Sequence, residues 1–420
     1  VSARSPTMKM ISSFLLMALI AHVDADCFYV SCERIRDSSL KGKPVGVLGN
    51  QGACVIARSY EMKAAGVTVA MPIWMAKKRC PDGIYVKRDF AWYEAVCLRT
   101  QEVLRRYSNI LEFYSVDETF LELQGVAMED AERVAHEIQN VILKEIEVPV
   151  SIGIAPTRSL AKIASDKNKP FGISVVSPES HQEFLRSTPV SEICGVGRRL
   201  SVKLEEAGIH SCLDYVETPR ERIKALLHKP GEEIWYELQG KPLLTVRTVR
   251  PQRKVLSRGG HIPGQSSDPE VVYGFFVRHL ERLTEALIHY EVEILNLNVV
   301  LADAQGRYFS SLEALPDYSS DFALLLQATK RGLRKIFKKR VLYDLLHLVG
   351  APVRSRAGKQ LNLLEKPNSK REKLWAVKQA INDQYGTFKL RSAATAAIPA
   401  MFKDKGSDYE ICDIDGKFCF

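Results

Sequence analysis

No Cys-x-x-Cys pair and no Cys/His cluster at zinc-binding spacing occurs in the 420 residues, although nine cysteines are present. An odd number of scattered cysteines argues against a disulfide scaffold and for reduced thiols, as in a cytosol. Long apolar runs are missing too. Residues 10–20, after Lys9, superficially resemble a signal peptide but are too short to span a bilayer. They lead without a break into His22-Val23-Asp24-Ala25-Asp26, which reads better as the continuation of a buried first strand. Residues 1–16 are expected to be a disordered or artefactual extension, with Met17 a natural start. At 46% hydrophobic and 26% charged residues, the composition excludes collagenous, coiled-coil and disordered classes. At about 100–200 residues per domain, the length suggests about two to four domains.

What is present in excess is positive charge. Lys and Arg number 59 against 50 Asp and Glu, a formal +9. Residues 330–359 hold ten Lys/Arg and the single acid Asp344, so this one segment carries the whole imbalance. That points to a polyanion partner or, more blandly, to a solvated basic helix. Lys330, Arg331, Arg334, Lys335, Lys338 and Lys339 recur at three- and four-residue intervals, opposite an apolar face of Leu326, Leu333 and Ile336.

Strands and helices alternate in two stretches. In the first, residues 19–29 read as a strand, 90–107 as a helix and 111–123 as a hairpin. A helix at 129–146, a strand at 148–154, a helix capped by Thr157 and a strand at 172–176 follow. An insertion at 43–86, rich in small residues, would form its own subdomain. The second stretch, 255–349, reads β-α-β-β-α-β, a ferredoxin-like order. Between them, 189–240 is helical. After 352 the chain turns polar, with one helix at 370–385.

Three carboxylates stand out. Asp24 alternates with Val23 and Ala25 and should project from the open face of its strand. Asp117 and Glu118 are adjacent and can converge only if residues 116–118 form a hairpin bend. Crowded carboxylates repel unless a cation lies between them, and hard oxygen ligands suit Mg²⁺. Alternatively they are ordinary surface acids. Gly195-Val196-Gly197-Arg198, between two short helices, reads as a helix-hairpin-helix turn that grips phosphates through backbone N–H groups, or as a tight turn between packed helices. Tyr60 and Lys63 share a helix face, and Lys162, Lys167 and Lys169 lie on or just beyond the helix after Thr157; each could meet a triphosphate or remain a solvated surface group.

Together, Val23-Asp24-Ala25-Asp26-Cys27-Phe28-Tyr29, Ser115-Val116-Asp117-Glu118-Thr119-Phe120, the run Ala161–Pro170 and the Gly-Val-Gly turn resemble the motifs of a Y-family, lesion-bypass DNA polymerase. The bacterial branches of polymerase IV and the polymerase V catalytic subunit are the most similar; a small terminal hairpin expected at 409–416, with the stretch 50–58, leans to the latter. The resemblance runs from Met17 to about Pro352. It implies an α+β right-hand architecture: ferredoxin-like palm (17–42 and 87–180), small fingers (43–86), helical thumb with the helix-hairpin-helix (181–240), linker (241–251), βαββαβ little finger (252–352) and a C-terminal tail (353–420).

By the same resemblance Asp24, Asp117 and Glu118 form the catalytic metal-binding triad, with the Ala25 carbonyl holding one of two Mg²⁺ ions, which Mn²⁺ can replace. Phe28, Tyr29, Tyr60, Lys63 and Lys169 meet the incoming dNTP, Tyr29 as the steric gate against a ribose 2′-OH. Lys63 stands where many relatives have arginine and forgoes bidentate contact. Gly195, Val196, Gly197, Arg198, Lys335, Lys338 and Lys339 meet primer–template DNA. Gln360, Leu361, Leu363 and Leu364 are similar to a sliding-clamp peptide, with Leu364 in place of the usual Phe. Accessory subunits are possible partners, a membrane is not, and a cytoplasmic, nucleoid-associated location is expected. The implied activity is low-fidelity translesion synthesis. The rivals are a non-catalytic clamp or DNA adaptor of the same fold and a palm-type nucleotide cyclase.

Overall fold

In the computed structural model, residues 18–49, 54–249, 252–357, 369–385 and 389–398 are described. The extension 1–16, Ala53, Lys359, the peptide 360–364 and the final stretch 409–416 lie outside them. The chain divides into two compact units, with the boundary between residues 250 and 251. Among the described residues, no helix is long and apolar enough to cross a membrane.

The first unit opens with β1 (Leu19–Ala25) and α1 (Phe28–Arg36). An insertion follows: β2 (Val45–Leu48), β3 (Val55–Arg58), α2 (Tyr60–Ala64), α3 (Ile73–Arg79) and β4 (Ile84–Lys87). The main sheet resumes through α4 (Phe90–Leu104), β5 (Leu111–Phe113), β6 (Glu118–Leu123), α5 (Ala131–Ile146), β7 (Val150–Ala155), α6 (Arg158–Lys167) and β8 (Ile173–Val175). Helices α7 (His181–Ser187), α8 (Arg198–Glu206), α9 (Cys212–Glu217) and α10 (Arg220–Leu238) complete it.

The sheet order is β5-β6-β1-β7-β8. Its first four strands have the ferredoxin order; β8 extends them, parallel to β7 through α6. Central β1 explains itself by alternation. Leu19, Ala21, Val23 and Ala25 enter the core under α4 and α5, whereas Ile20, His22 and Asp24 face the other way. That second face is not open, as the sequence suggested, but covered by α6, and Gly153 is why. A Cβ there would lie 2.1 Å from the Ala161 carbonyl oxygen, so only glycine lets α6 settle so low on the sheet. Thr157 caps α6 by accepting from the Leu160 N–H. The insertion has its own sheet, β3-β2-β4, and a small core around Met62, Val55 and Val67.

Strand β1 also ends earlier than the sequence pattern indicates. Cys27 turns into the left-handed region (φ 48°), and Phe28 and Tyr29 open α1 instead of closing the strand. The ladders dictate this: the last β1 pairings are Asp24 with Glu118 and Ala25 with Val150.

The second unit runs β9 (Leu256–Ser266), α11 (Pro269–His289), β10 (Val292–Asp303), β11 (Tyr308–Ser319), α12 (Phe322–Ile336), β12 (Tyr343–Ser355) and α13 (Ser369–Tyr385). Its chain order is β-α-β-β-α-β, but its sheet order, β11-β10-β12-β9, departs from the ferredoxin arrangement by placing the second and fourth strands at the centre. Edge strands β9 and β11 carry Pro263 and Pro316, which edges tolerate best, but central β12 carries Pro352 as well, so composition alone does not set the strand order.

Candidate active site

The site grows from the end of β1. The Ala25 N–H donates to the Asp117 carbonyl (2.8 Å) and the Asp26 N–H to the Pro149 carbonyl (2.9 Å), pinning the strand end between two loops. The bend lies one residue earlier than expected. The N–H groups of Tyr114 and Ser115 both donate to the Glu118 carbonyl (3.0 and 3.1 Å). Glu118 therefore starts β6, facing Asp24 across the ladder, while Asp117 stays on the bend. Neighbouring acids on a regular strand would diverge; one on a bend and one on a strand can converge.

Both β1 and β6 carboxylates have ammonium partners. Lys162, from α6, donates to Glu118. Lys169 Nζ lies 2.7 Å from Asp24 and 2.7 Å from Asp166. Burial pushes the Asp24 carboxyl up to about 8, Lys169 pulling against the shift and Glu118 and Asp117 adding to it. Asp117 is raised as well, by burial first, although the Ser115 hydroxyl donates to it. At Lys162, burial is outweighed by the Glu118 carboxylate, and the ammonium is held. Buried, mutually repelling carboxylates with cations drawn in against them are a donor set for hard divalent ions.

A cavity of about 700 Å³ opens over this floor. It is lined by Asp24, Asp117 and Glu118, by Ala25, Phe28 and Tyr29, by Tyr60 and Lys63 from α2, and by Lys169. Every residue expected at the metals or the nucleotide thus meets at one cavity. Ser59 caps α2 (Met62 N–H to Ser59 Oγ, 3.2 Å), which fixes where Tyr60 and Lys63 emerge. Asp26, to which no metal role was given, is a tie: it accepts from Tyr60 Oη (3.1 Å), Ser151 Oγ (3.0 Å) and the Phe171 N–H (2.7 Å). Tyr29 packs among the rings of Phe28, Phe90 and Tyr93.

Of the residues expected to grip DNA, those of the first unit do not line this cavity. Gly195 has φ +95°, which suits glycine, and Gly197 is the N-cap of α8, with Arg198 its first residue. What precedes the turn is a short 3₁₀ turn, Val190–Glu192, instead of a full helix. Val196 is buried and its N–H donates to the Ile193 carbonyl (2.9 Å), so that N–H is committed within the chain. In the second unit, Lys335 Nζ lies 2.6 Å from Glu313, a carboxylate that is 4% exposed and also held by Arg331. Lys338 Nζ lies over the Phe309 ring (5.0 Å), and Lys339 is exposed.

Three residues escaped the sequence reading. Arg58 lines the cavity, its Nε buried without a hydrogen-bond partner. Asp166 shares Lys169. His22 is fully buried two residues before Asp24, and period-2 alternation alone could have placed it on the Asp24 face. The Ser165 hydroxyl donates to the Lys162 carbonyl (2.8 Å), so it accepts from His22 Nδ1 (2.7 Å), leaving His22 Nε2 as a bare lone pair 4.0 Å from Glu118. Burial, with Lys162, Lys169 and Arg158 adding to it, holds this imidazole neutral. One potential ligand atom from each of His22, Asp24 and Glu118 lies within 4.8 Å of the others.

The chain is also similar to known proteins. Residues 23–166 match the impB/mucB/samB family, and residues 178–209 match the IMS family HHH motif. The chain is 30% identical to DNA polymerase IV 1 of Bacillus subtilis over 388 residues, 90% of this chain and 93% of that protein. It is 35% identical to DNA polymerase IV of Xanthomonas campestris over 276 residues, 65% of this chain and 75% of the relative. A chimera of the Y-family DNA polymerases Dbh and Dpo4 superposes with a TM-score of 0.69 at 24% identity, covering 80% of this chain and 99% of the chimera.

Proposed function

Because the chain belongs to the Y-family of DNA polymerases, with relatives named DNA polymerase IV, we infer that it is a template-directed translesion polymerase adding dNTPs to a primer 3′-OH. The observation that carries the mechanism is the convergence of Asp24, Asp117 and Glu118 on the floor of a cavity whose walls hold Tyr29, Tyr60, Lys63 and Lys169. An adaptor of the same fold would have no use for three carboxylates arranged in this way, and a cyclase none for the Gly-Val-Gly turn.

The donor set fits divalent cations, since burial raises Asp24 and Asp117 and ammonium groups meet Asp24 and Glu118. Two Mg²⁺ ions held by Asp24, Asp117, Glu118 and the Ala25 carbonyl would acidify the primer hydroxyl and neutralise charge building on the phosphates. The remaining work falls to side chains. Lys169 and Lys63, beside Tyr60, hold the triphosphate so that its α-phosphorus faces the primer 3′-OH, and pyrophosphate leaves. Tyr29, in the cavity wall, acts as the steric gate against a ribose 2′-OH. Small residues in the insertion, such as Ala57, Ala64 and Ala65, press lightly on the nascent pair, which suits damaged templates at a cost in fidelity.

In this reading the five-stranded sheet is the palm, the three-stranded insertion the fingers, α7–α10 the thumb and the second unit the little finger. The Gly195–Gly197 turn with Arg198, and the basic end of α12 with Lys338 and Lys339, hold the DNA backbone. Residues 360–364 dock on a sliding clamp, and the protein works on cytoplasmic, nucleoid DNA, with accessory subunits as further partners. The test is Mg²⁺-dependent primer extension opposite an abasic site and a bulky adduct. Bypass with frequent misinsertion on undamaged template is expected; arrest at both lesions, with replicative accuracy, would overturn the translesion reading.

A further inference from the structure

The Tyr29 ring does not stand alone. It stacks on Tyr93 with centroids 4.6 Å apart and planes 19° apart, and Phe90 meets both rings edge-on (5.7 and 6.1 Å). Tyr93 is fully buried, and its hydroxyl donates to Glu33 Oε1 at 2.7 Å. Glu33 lies four residues after Tyr29 on α1, so the two share one helix face a turn apart. One phenol therefore touches α1 twice, its face on Tyr29 and its hydroxyl on Glu33. The same turn of α4 is tied to α1 by Trp92 Nε1 donating to the Cys32 carbonyl (2.8 Å) and by Arg36 with Asp89 (2.7 Å).

A hydrogen bond from a buried phenol to a carboxylate is short, directional and costly to leave unmade. It locks the height and tilt of the Tyr93 ring, and a stacked partner must follow. Burial, with Glu33 adding to it, holds the phenol in its protonated, donating form. A ring that excludes a hydroxyl by collision works only while it cannot tilt aside, because one extra oxygen needs little room.

We propose that Tyr93, anchored by Glu33, is a positioning residue that holds the Tyr29 ring against the sugar and so sets how strongly ribonucleotides are excluded. This rests on the reading of Tyr29 as the sugar gate in a polymerase. Tyr93 does not line the cavity and acts only through Tyr29.

The test is single-turnover incorporation of dCTP and rCTP opposite template dG, read as the ratio of the two efficiencies on one preparation of full-length protein. Partial unfolding lowers both rates together and leaves the ratio untouched. Tyr29→Ala should collapse the ratio. Tyr93→Phe, which keeps the stack and removes the hydroxyl, should lower it about three- to tenfold, as should Glu33→Val. Glu33→Gln, which still accepts, should keep it near the wild-type value. A wild-type ratio in Tyr93→Phe and Tyr93→Leu, with Tyr29→Ala collapsed, overturns the inference while leaving the gate. An unchanged ratio in Tyr29→Ala overturns the gate and the inference together, and absence of any dNTP incorporation by the wild type overturns the polymerase reading beneath both.

Discussion

Glu118 faces Asp24 across the β1–β6 ladder, and each is answered by a lysine: Lys162 on Glu118 and Lys169 on Asp24. In a metal-free site these ammonium groups offset a repulsion that would otherwise pull the hairpin bend from the strand end. They also occupy the carboxylates that divalent ions need. Lys169 has a second partner in Asp166 and, in the proposed function, a triphosphate to move to, whereas Lys162 is held over the Tyr114 ring (5.4 Å) beside Glu118.

Removing that counter-charge should therefore make the fold more dependent on metal. Lys162→Met is expected to cost the metal-free protein about 3 kcal/mol, since both partners are largely buried. Mg²⁺ should restore more of the melting temperature than it adds to wild type, and Mn²⁺ should bind more tightly by calorimetry. Equal Mg²⁺ shifts in both proteins would contradict this role.

Asp24 supplies a pH signature. Its carboxyl is raised from 3.8 to about 8, so across that interval the folded state holds more protons than the unfolded chain. This contribution to stability is full at low pH and is lost as pH rises through the folded value. Other carboxylates act in the opposite sense, so the informative quantity is the difference between wild type and Asp24→Asn. Thermal melts in EDTA should show the stability of wild type relative to the variant falling from about pH 4 to about pH 8, and excess Mg²⁺ should abolish the trend.

The basic end of the second unit divides by geometry. Lys335 is spent on the nearly buried Glu313, while Lys339 is exposed. Lys335→Ala should therefore lower stability by about 1 kcal/mol and leave the salt dependence of DNA binding nearly intact. Lys338→Ala/Lys339→Ala should reduce that salt slope by about 0.9 for each DNA phosphate that is no longer neutralised. Fluorescence titrations at several salt concentrations separate the two outcomes.

Deleting residues 360–364 should abolish clamp-stimulated synthesis and leave basal extension unchanged. Retained stimulation would remove the clamp peptide from the account.

Much of the site was legible because its residues sit on short, regular pieces with strong local signals. The alternation in Leu19–Ala25, the Asp117-Glu118 pair, the Thr157 cap and the lysines around α6 are all local. What was not legible depends on neighbours. That β1 stops at Ala25 follows from where β6 and β7 begin, which no pattern within residues 19–29 records. Covering of the Asp24 face follows from Gly153, distant in sequence and read only as a strand residue. The central pair in the second sheet likewise depends on long-range pairing of β10 with β12, which chain order does not record. His22 was passed over as strand filling because its chemistry appears only once Ser165 and Glu118 are beside it.

The central claim is that three converging carboxylates drive template-directed nucleotide addition. It is tested most directly by offering one dNTP at a time, with Mg²⁺, to primers paired with each of the four template bases. Wild type should add chiefly the complementary nucleotide, and Asp117→Ala/Glu118→Ala should lose at least about a thousandfold in rate while still binding the primer–template. Addition that ignores the template base, or that survives in the double variant, would contradict the account.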